Sequence, residues 1–447
     1  MMTTYDEIRL QTRKLLRQNI PSVDEYKKAL PLCKELWAHF SDTQEFWDAH
    51  QYANCLKKLG ELDEAEDICK YIYQTYRNQK LLSYQERPFS YILNLYTWII
   101  NDKYVKSIRK PDYQYEDIVL DKLFLLHEII EFVGQDSRLP SFNYCALSVI
   151  RVLIKTSKTY NDKMISIINL IDPKDLSSIP TQYTDHAGKE REMASDKETY
   201  FQLKSDLLFR EKQYEDCILC CTTAIDEIEN FHYDNNIWLE RRVALALDNL
   251  GHIDDAIITL KKLILISDKW FLLYELGKFY LRKNETNQAL IYMLRAVCTK
   301  DPEKMKVKLI ESIGDIFTDI QEIELAQENY NFARQIREEN DWAVSQTLNN
   351  KISTMTPIRF LDIRKHWITF LHDKVGVKHG RIVKIFPGHR GGFIQADKSY
   401  YFQYKNFFGK SDLSKVGDNV GFIIVGSFDK KKQQNTEEAV AIIPIRK

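Results

Sequence analysis

Trp270-Phe271-Leu272-Leu273-Tyr274-Glu275-Leu276-Gly277-Lys278-Phe279-Tyr280, followed by Asn284, Ala289, Met293, Ala296 and Asp301-Pro302, decides how most of this chain folds. Apolar residues recur at spacings of three and four on both sides of Asn284, which predicts two helices joined by a short turn. Gly277 and Ala289 are small, so the two helix backbones can approach closely. Tyr280 and Met293 fill the space beside that contact, Ala296 leaves room for the next element, and Pro302 ends the unit.

Working outward, three further segments share this register on a small residue early in the second helix. Cys217, Ala256, Ala289 and Ala326 are separated by 39, 33 and 37 residues. The last segment keeps Gly314, Phe317, Ala326, Tyr330 and Ala333. The second keeps Gly251, Ala256 and Leu260, with Ala244 at the first small position. The first keeps Tyr214 and Ala224, with Ser205 and Cys217 as its small residues. An earlier, degenerate copy runs through Ala53, Leu56, Gly60, Ala65 and Cys69, and Gly60, Pro88, Gly134, Pro140 and Pro173 mark expected helix ends. The pattern resembles the tetratricopeptide repeat, strongly over 197–340 and more weakly over 1–172. No single hairpin of this kind can bury its own apolar face, so such units stack.

The resemblance implies an α-solenoid that binds a partner protein along its concave face. Trp238, Arg241, Phe271, Tyr274 and Lys278 are the partner-binding candidates on first helices, and Glu311, Asp315 and Asp319 follow in the next repeat. The same residues also fit a plain solvated face. The basic and asparagine set that clamps a chaperone's C-terminal carboxylate is not apparent. Between the repeat blocks, 173–196 is polar and reads as a long surface loop.

The formal net charge of −1 conceals an asymmetry. Residues 376–447 carry 13 Lys and Arg against 6 Asp and Glu, a balance of +7, leaving −8 for residues 1–375. Nine of the 15 glycines fall in the same last 72 residues. From Val377 the apolar period changes to two, and five short strands follow in about 70 residues, which suits a small barrel. Gly380-Arg381-Ile382-Val383-Lys384-Ile385-Phe386, Gly391-Gly392-Phe393-Ile394, Tyr400-Tyr401-Phe402-Gln403-Tyr404 and Val416-Gly417-Asp418-Asn419-Val420 resemble, in order and spacing, a cold-shock domain, an OB-fold barrel. Three positions depart from that pattern: Gly391 stands for an aromatic, Gln403 for a histidine, and the first strand lacks its tryptophan, with Phe386 the nearest aromatic.

The resemblance implies single-stranded nucleic-acid binding, RNA or DNA. Alternation places Val383 and Ile385 on one face and Lys384 and Phe386 on the other, with Tyr401 and Gln403 opposite Phe402. Exposed rings beside cations suit a single strand, because bases stack and cations track phosphates. The nucleic-acid candidates are Lys384, Phe386, Arg390, Phe393, Tyr401, Gln403, Tyr404 and Lys405. The alternative is that these rings fill the barrel. Lys430-Lys431-Lys432 reads as a hairpin tip.

The segment 341–376 is expected to cap the array with an amphipathic helix bearing Phe360, Trp367 and Phe370, leaving 377–447 as a barrel that folds by itself. The expected fold is therefore multidomain α + β, a tetratricopeptide-like α-solenoid followed by a five-stranded OB or cold-shock-like β-barrel.

Enzyme signatures are lacking. Cys217, Cys220 and Cys221 have no second cysteine pair nearby and read as core thiols, not a zinc site. His127-Glu128 lacks a histidine four residues after the first, and there is no P-loop or nucleophile elbow. No catalytic residue, metal or cofactor is expected. The start MMTTYDEIRL has no basic segment leading an apolar run, and no stretch of about 18 apolar residues occurs, so neither secretion nor a membrane span is expected. Eight cysteines without a secretion signal suit a cytoplasmic protein. The functional expectation is a non-enzymatic adaptor joining a partner protein to single-stranded nucleic acid. Its alternatives are a protein-only scaffold and, more remotely, a subunit of a nucleic-acid-processing complex whose enzyme is another chain.

Overall fold

The computed structural model describes residues 4–17, 21–40, 45–109, 116–134, 141–156, 159–185, 187–267, 269–407, 415–429, 432 and 434–445. Two compact units are present, one made of residues 1–216 with 227–232 and the other of 217–226 with 233–447. The division falls inside the expected repeat block, not at the polar segment 173–196.

The first unit is built of helical hairpins. Helices Phe46–Leu59 and Leu62–Tyr76 form the degenerate copy read from the sequence, with Ala53, Ala65 and Cys69 fully buried. Gly60 turns the chain between them at φ +91°, a conformation glycine adopts without strain. Helix Val23–Ala38 starts at a reciprocal Ser22–Glu25 capping box. Pro88 does not end a helix as expected. It lies inside Ser83–Ile100, in the second turn, where its missing N–H removes one i→i−4 bond of the helix. Pro140 lies outside the described residues. The expected long loop at 173–196 holds a 3₁₀ turn, Pro173–Asp175, and an exposed antiparallel hairpin, β1 (Thr181–Thr184) and β2 (Glu190–Met193).

In the second unit three hairpins follow one another: Asn235–Asn249 with Ile253–Ile266, Trp270–Arg282 with Thr286–Val297, and Val307–Asp319 with Ile323–Glu339. The small positions sit where the helices touch. A Cβ on Gly277 would lie 2.6 Å from Met293 Cγ, and one on Gly314 would lie 2.6 Å from Tyr330 Cε1. The same contact thus recurs one repeat later. Cys217, Cys220 and Cys221 are buried in helix Tyr214–Glu227, and the Cys217–Cys221 thiol contact together with burial pushes Cys217 up.

Helix Phe360–Val375 closes the stack. Trp367 is buried and its Nε1–H donates to Asn329 Oδ1 at 3.0 Å, while Phe360 stacks on Phe332 and Phe370 meets Phe317 edge-on. Beyond it, β3 (Lys378–Ile385), β4 (Gly391–Gln395), β5 (Ser399–Gln403), β6 (Asn419–Asp429) and β7 (Gln434–Pro444) close into a barrel in the order β3-β4-β5-β7-β6. Every pair is antiparallel except β5 with β7. Ile382, Ile394, Phe402, Val420, Phe422 and Ile442 fill its interior.

The barrel is not a separate body. Ile423 and Ala441 belong to the apolar core that holds Trp367, Ile368 and Leu371, and His372 Nε2 bonds the Ala441 carbonyl at 2.7 Å. Arg364 reaches the Phe407 carbonyl at 3.2 Å, and Gly426 lets Leu265 approach the strand backbone closely.

Candidate nucleic-acid interface

Phe393 on β4 and Tyr401 on β5 are direct cross-strand partners, and both side chains point out of the barrel. Their ring centroids are 6.1 Å apart. Phe386, just after β3, completes the set at 5.6 Å from Phe393 and 6.4 Å from Tyr401. Lys384 is exposed, with its Nζ 5.6 Å from the Phe386 ring centroid. Arg390 is exposed at the end of the 3₁₀ turn Pro387–His389. Four of the eight residues read from the sequence therefore meet on one face, Lys384, Phe386, Phe393 and Tyr401, and Arg390 is exposed just before β4.

Tyr404 and Gln403 do not join it. Tyr404 is only 6% exposed and packs inside the barrel, 5.6 Å from Phe402 and 5.5 Å from Phe407, ring to ring. The cause is the period of two, which turns Tyr400, Phe402 and Tyr404 inward together. Gln403 is half-buried and lines a cleft between the barrel and the helices. The side chain of Lys405 lies outside what the structure describes, as do Lys430 and Lys431.

The strand reading of Val383 also needs correcting. A bulge between Ile382 and Lys384 leaves Ile382 fully buried and Val383 46% exposed. The glycine at 391 has a local cause. A Cβ there would lie 2.4 Å from the Phe402 carbonyl, and one on Gly392 would lie 2.1 Å from the Lys384 carbonyl. The strands run too close for an aromatic at 391. Burial, with Glu438 nearby, raises the Tyr401 hydroxyl above its usual range, so it stays protonated at neutral pH.

The five partner-binding candidates also come together, on helices Asn235–Asn249 and Trp270–Arg282. Trp238 stacks on Phe271 at 4.7 Å, and the Arg241 guanidinium lies 5.4 Å and 5.5 Å from the two ring centroids. Arg241 Nε donates to Glu275 Oε2 at 2.8 Å, and a second nitrogen reaches Oε1. Lys278 Nζ lies 4.9 Å from the Tyr274 ring centroid, and burial lowers its pKa despite Glu275. In the next repeat Glu311 pairs with Arg337 and Asp315 with Lys351.

Sequence reading missed the cleft itself. It has a volume of about 400 Å³, and its walls come from residues as distant as Ile264, Arg295, Arg364 and Glu438. No short motif joins them. Only Gln403 carried a signal, as a departure from the cold-shock pattern.

No protein-family model matches this sequence, and no curated protein matches it. Similarities to solved structures are faint. A structure of the human IFIT1 dimer with PPP-AAAA shares 10% identity over 84% of this chain and 88% of that chain, with a TM-score of 0.31. The apo form of RapI shares 12% over 82% and 99%, with a TM-score of 0.34. The APC/C hetero-tetramer Cut9-Hcn1 shares 13% over 84% and 73%, with a TM-score of 0.23. Scores this low carry no weight for fold or function. The class defined by the chain's own geometry is a helical-repeat protein with a C-terminal five-stranded barrel, and none of its described helices is long and apolar enough to cross a membrane.

Proposed function

We propose that this protein is a non-enzymatic adaptor: its barrel holds single-stranded RNA or DNA, and its helical repeats dock a partner protein. The observation that carries the reading is the outward cluster of Phe386, Phe393 and Tyr401 with Lys384 beside it. Each ring offers a π-face that any base can use, at about 1–3 kcal/mol per stacked base. The strand order, with its lone parallel pair, supports an OB-type barrel of the cold-shock kind. Stacked Trp238 and Phe271 support a docking face on the repeats. Eight cysteines, none of them in a disulfide, support a reducing compartment such as the cytoplasm.

Fluorescence anisotropy of labelled single strands and duplexes tests the nucleic-acid half. Single strands should bind better, with little sequence preference. With Lys384 and Arg390 on phosphates, affinity should fall with salt at a log–log slope of about −1.4, from about −0.7 per phosphate. No binding at low salt would hand the barrel to the second reading, a protein-only scaffold. One observation favours that reading: the core that the barrel shares with helix Phe360–Val375 gives it a structural task already.

A further inference from the structure

The cleft beside the barrel is lined by two guanidinium groups, one of which the fold leaves without an anion. Arg295 lies on helix Thr286–Val297 and Arg364 on helix Phe360–Val375, and both line it. Arg364 donates one nitrogen to the Phe407 carbonyl. Among the described residues Arg295 makes no ion pair and no hydrogen bond; its guanidinium rests 5.4 Å from the Tyr292 ring centroid. Burial lowers its pKa, against the pull of Tyr292 and Glu438. Holding a desolvated guanidinium without a hydrogen-bonded anion is costly, which marks a place where an anion fits. The single carboxylate in the wall, Glu438, acts on Arg295 through space and accepts hydrogen bonds from two other wall residues, Asn406 Nδ2 at 3.0 Å and Ser427 Oγ at 3.4 Å.

The position of the cleft says which anion. Tyr401 and Gln403 share the outer face of β5, so the cleft begins two residues from the stacking rings, and Tyr401 pairs across the parallel ladder with Glu438. Its volume of about 400 Å³ falls within the roughly 300–1,000 Å³ of small-ligand sites. Apolar walls such as Ile264 and Val425 suit a base, and the amide of Gln403 suits its polar edge. We propose that the cleft takes a phosphorylated nucleotide, supplied by the end of the strand that stacks on Phe386, Phe393 and Tyr401, with its terminal phosphate on Arg295 and Arg364. The strand-end source rests on the strand-binding reading above; the phosphate chemistry does not.

Oligouridines of about ten nucleotides, with a 5′-phosphate, a 3′-phosphate or hydroxyl ends, are compared by anisotropy with the full chain, alongside free uridine monophosphate. Cys298 supplies an independent readout. It lines the cleft and is the one cysteine of eight that is not buried, so maleimide labelling reports occupancy. One terminal phosphate should tighten binding by about tenfold or more and slow Cys298 labelling, since charged hydrogen bonds contribute about 1.5–3 kcal/mol. Arg295→Gln should abolish that preference and leave hydroxyl-ended strands bound as before, with Arg295→Lys retaining part of it. Should Arg295→Gln fail to fold, the wild-type comparison with Cys298 protection still decides. Protection by uridine monophosphate without any preference among strands would keep the phosphate site and overturn the strand end as its source. The same protection without strand binding would remove the strand reading alone. Strands bound equally with Cys298 unprotected throughout would overturn the cleft assignment and leave the strand reading standing.

Discussion

Two surfaces of this protein are built from the same materials, aromatic rings and cations, and they are in different states. On the repeats, Arg241 is clamped by Glu275 while it covers Trp238 and Phe271, and Lys278 covers Tyr274. On the barrel, the three rings touch one another and Lys384 approaches Phe386 with no carboxylate paired to it among the described residues. Residue type alone does not make a binding surface. What matters is whether the fold has already matched each charge with a partner, because a matched cation must lose that partner before it can serve another.

Breaking the barrel face should give the largest effect. Phe393→Ala with Tyr401→Ala should weaken single-strand binding by about 2–6 kcal/mol if both rings stack, with thermal stability nearly unchanged. Anisotropy and a melting curve on the same variant check both halves; lost stability would mean that the rings serve the barrel. Tyr404→Ala is the converse. Removing a buried ring should lower stability by about 3–5 kcal/mol, read by denaturant unfolding. Strand affinity measured on the folded fraction should hold.

On the repeats the expected effects shrink. Arg241→Ala strips Glu275 of its clamp and should cost about 1–3 kcal/mol of stability by chemical denaturation, leaving nucleic-acid affinity where it was. A drop in strand affinity would mean that the two surfaces are one. The smallest effect concerns pH. Burial pushes the His372 pKa below the ordinary histidine value, although its hydrogen bond to the Ala441 carbonyl pulls the other way. With the folded pKa depressed, its contribution is present above the unfolded value near 6.5 and is lost as pH falls through the folded one. Melting temperatures from pH 7.5 downward should therefore decline, with a shallower slope in His372→Gln.

The repeats were legible because a close helix crossing demands a small residue, and Gly277, Ala289, Gly314 and Ala326 recur at repeat spacing. The strands were legible from their period of two, but the register that pairs Phe393 with Tyr401 was not, because alternation within a strand says nothing of its neighbour. The bulge at Ile382–Lys384 was not, since one extra residue resets the alternation without leaving a turn signal. Tyr404 was misplaced although Phe402, two residues earlier, carried the answer. The cleft could not be read at all, because its cations are separated from its amides by up to about 110 residues of chain.

The shared core between the barrel and helix Phe360–Val375 has a consequence for how the chain is made. The barrel is synthesised after the helix, so the helix leaves the ribosome before the strands that cover Ile368, Leu371 and His372 exist. During that interval a nascent chain displays an apolar stripe at its growing end, the kind of surface that chaperones shield and proteases survey. A message truncated near codon 376 would not yield a tidy repeat array lacking an accessory. It would yield a chain with an open seam, and the cell would be expected to clear it.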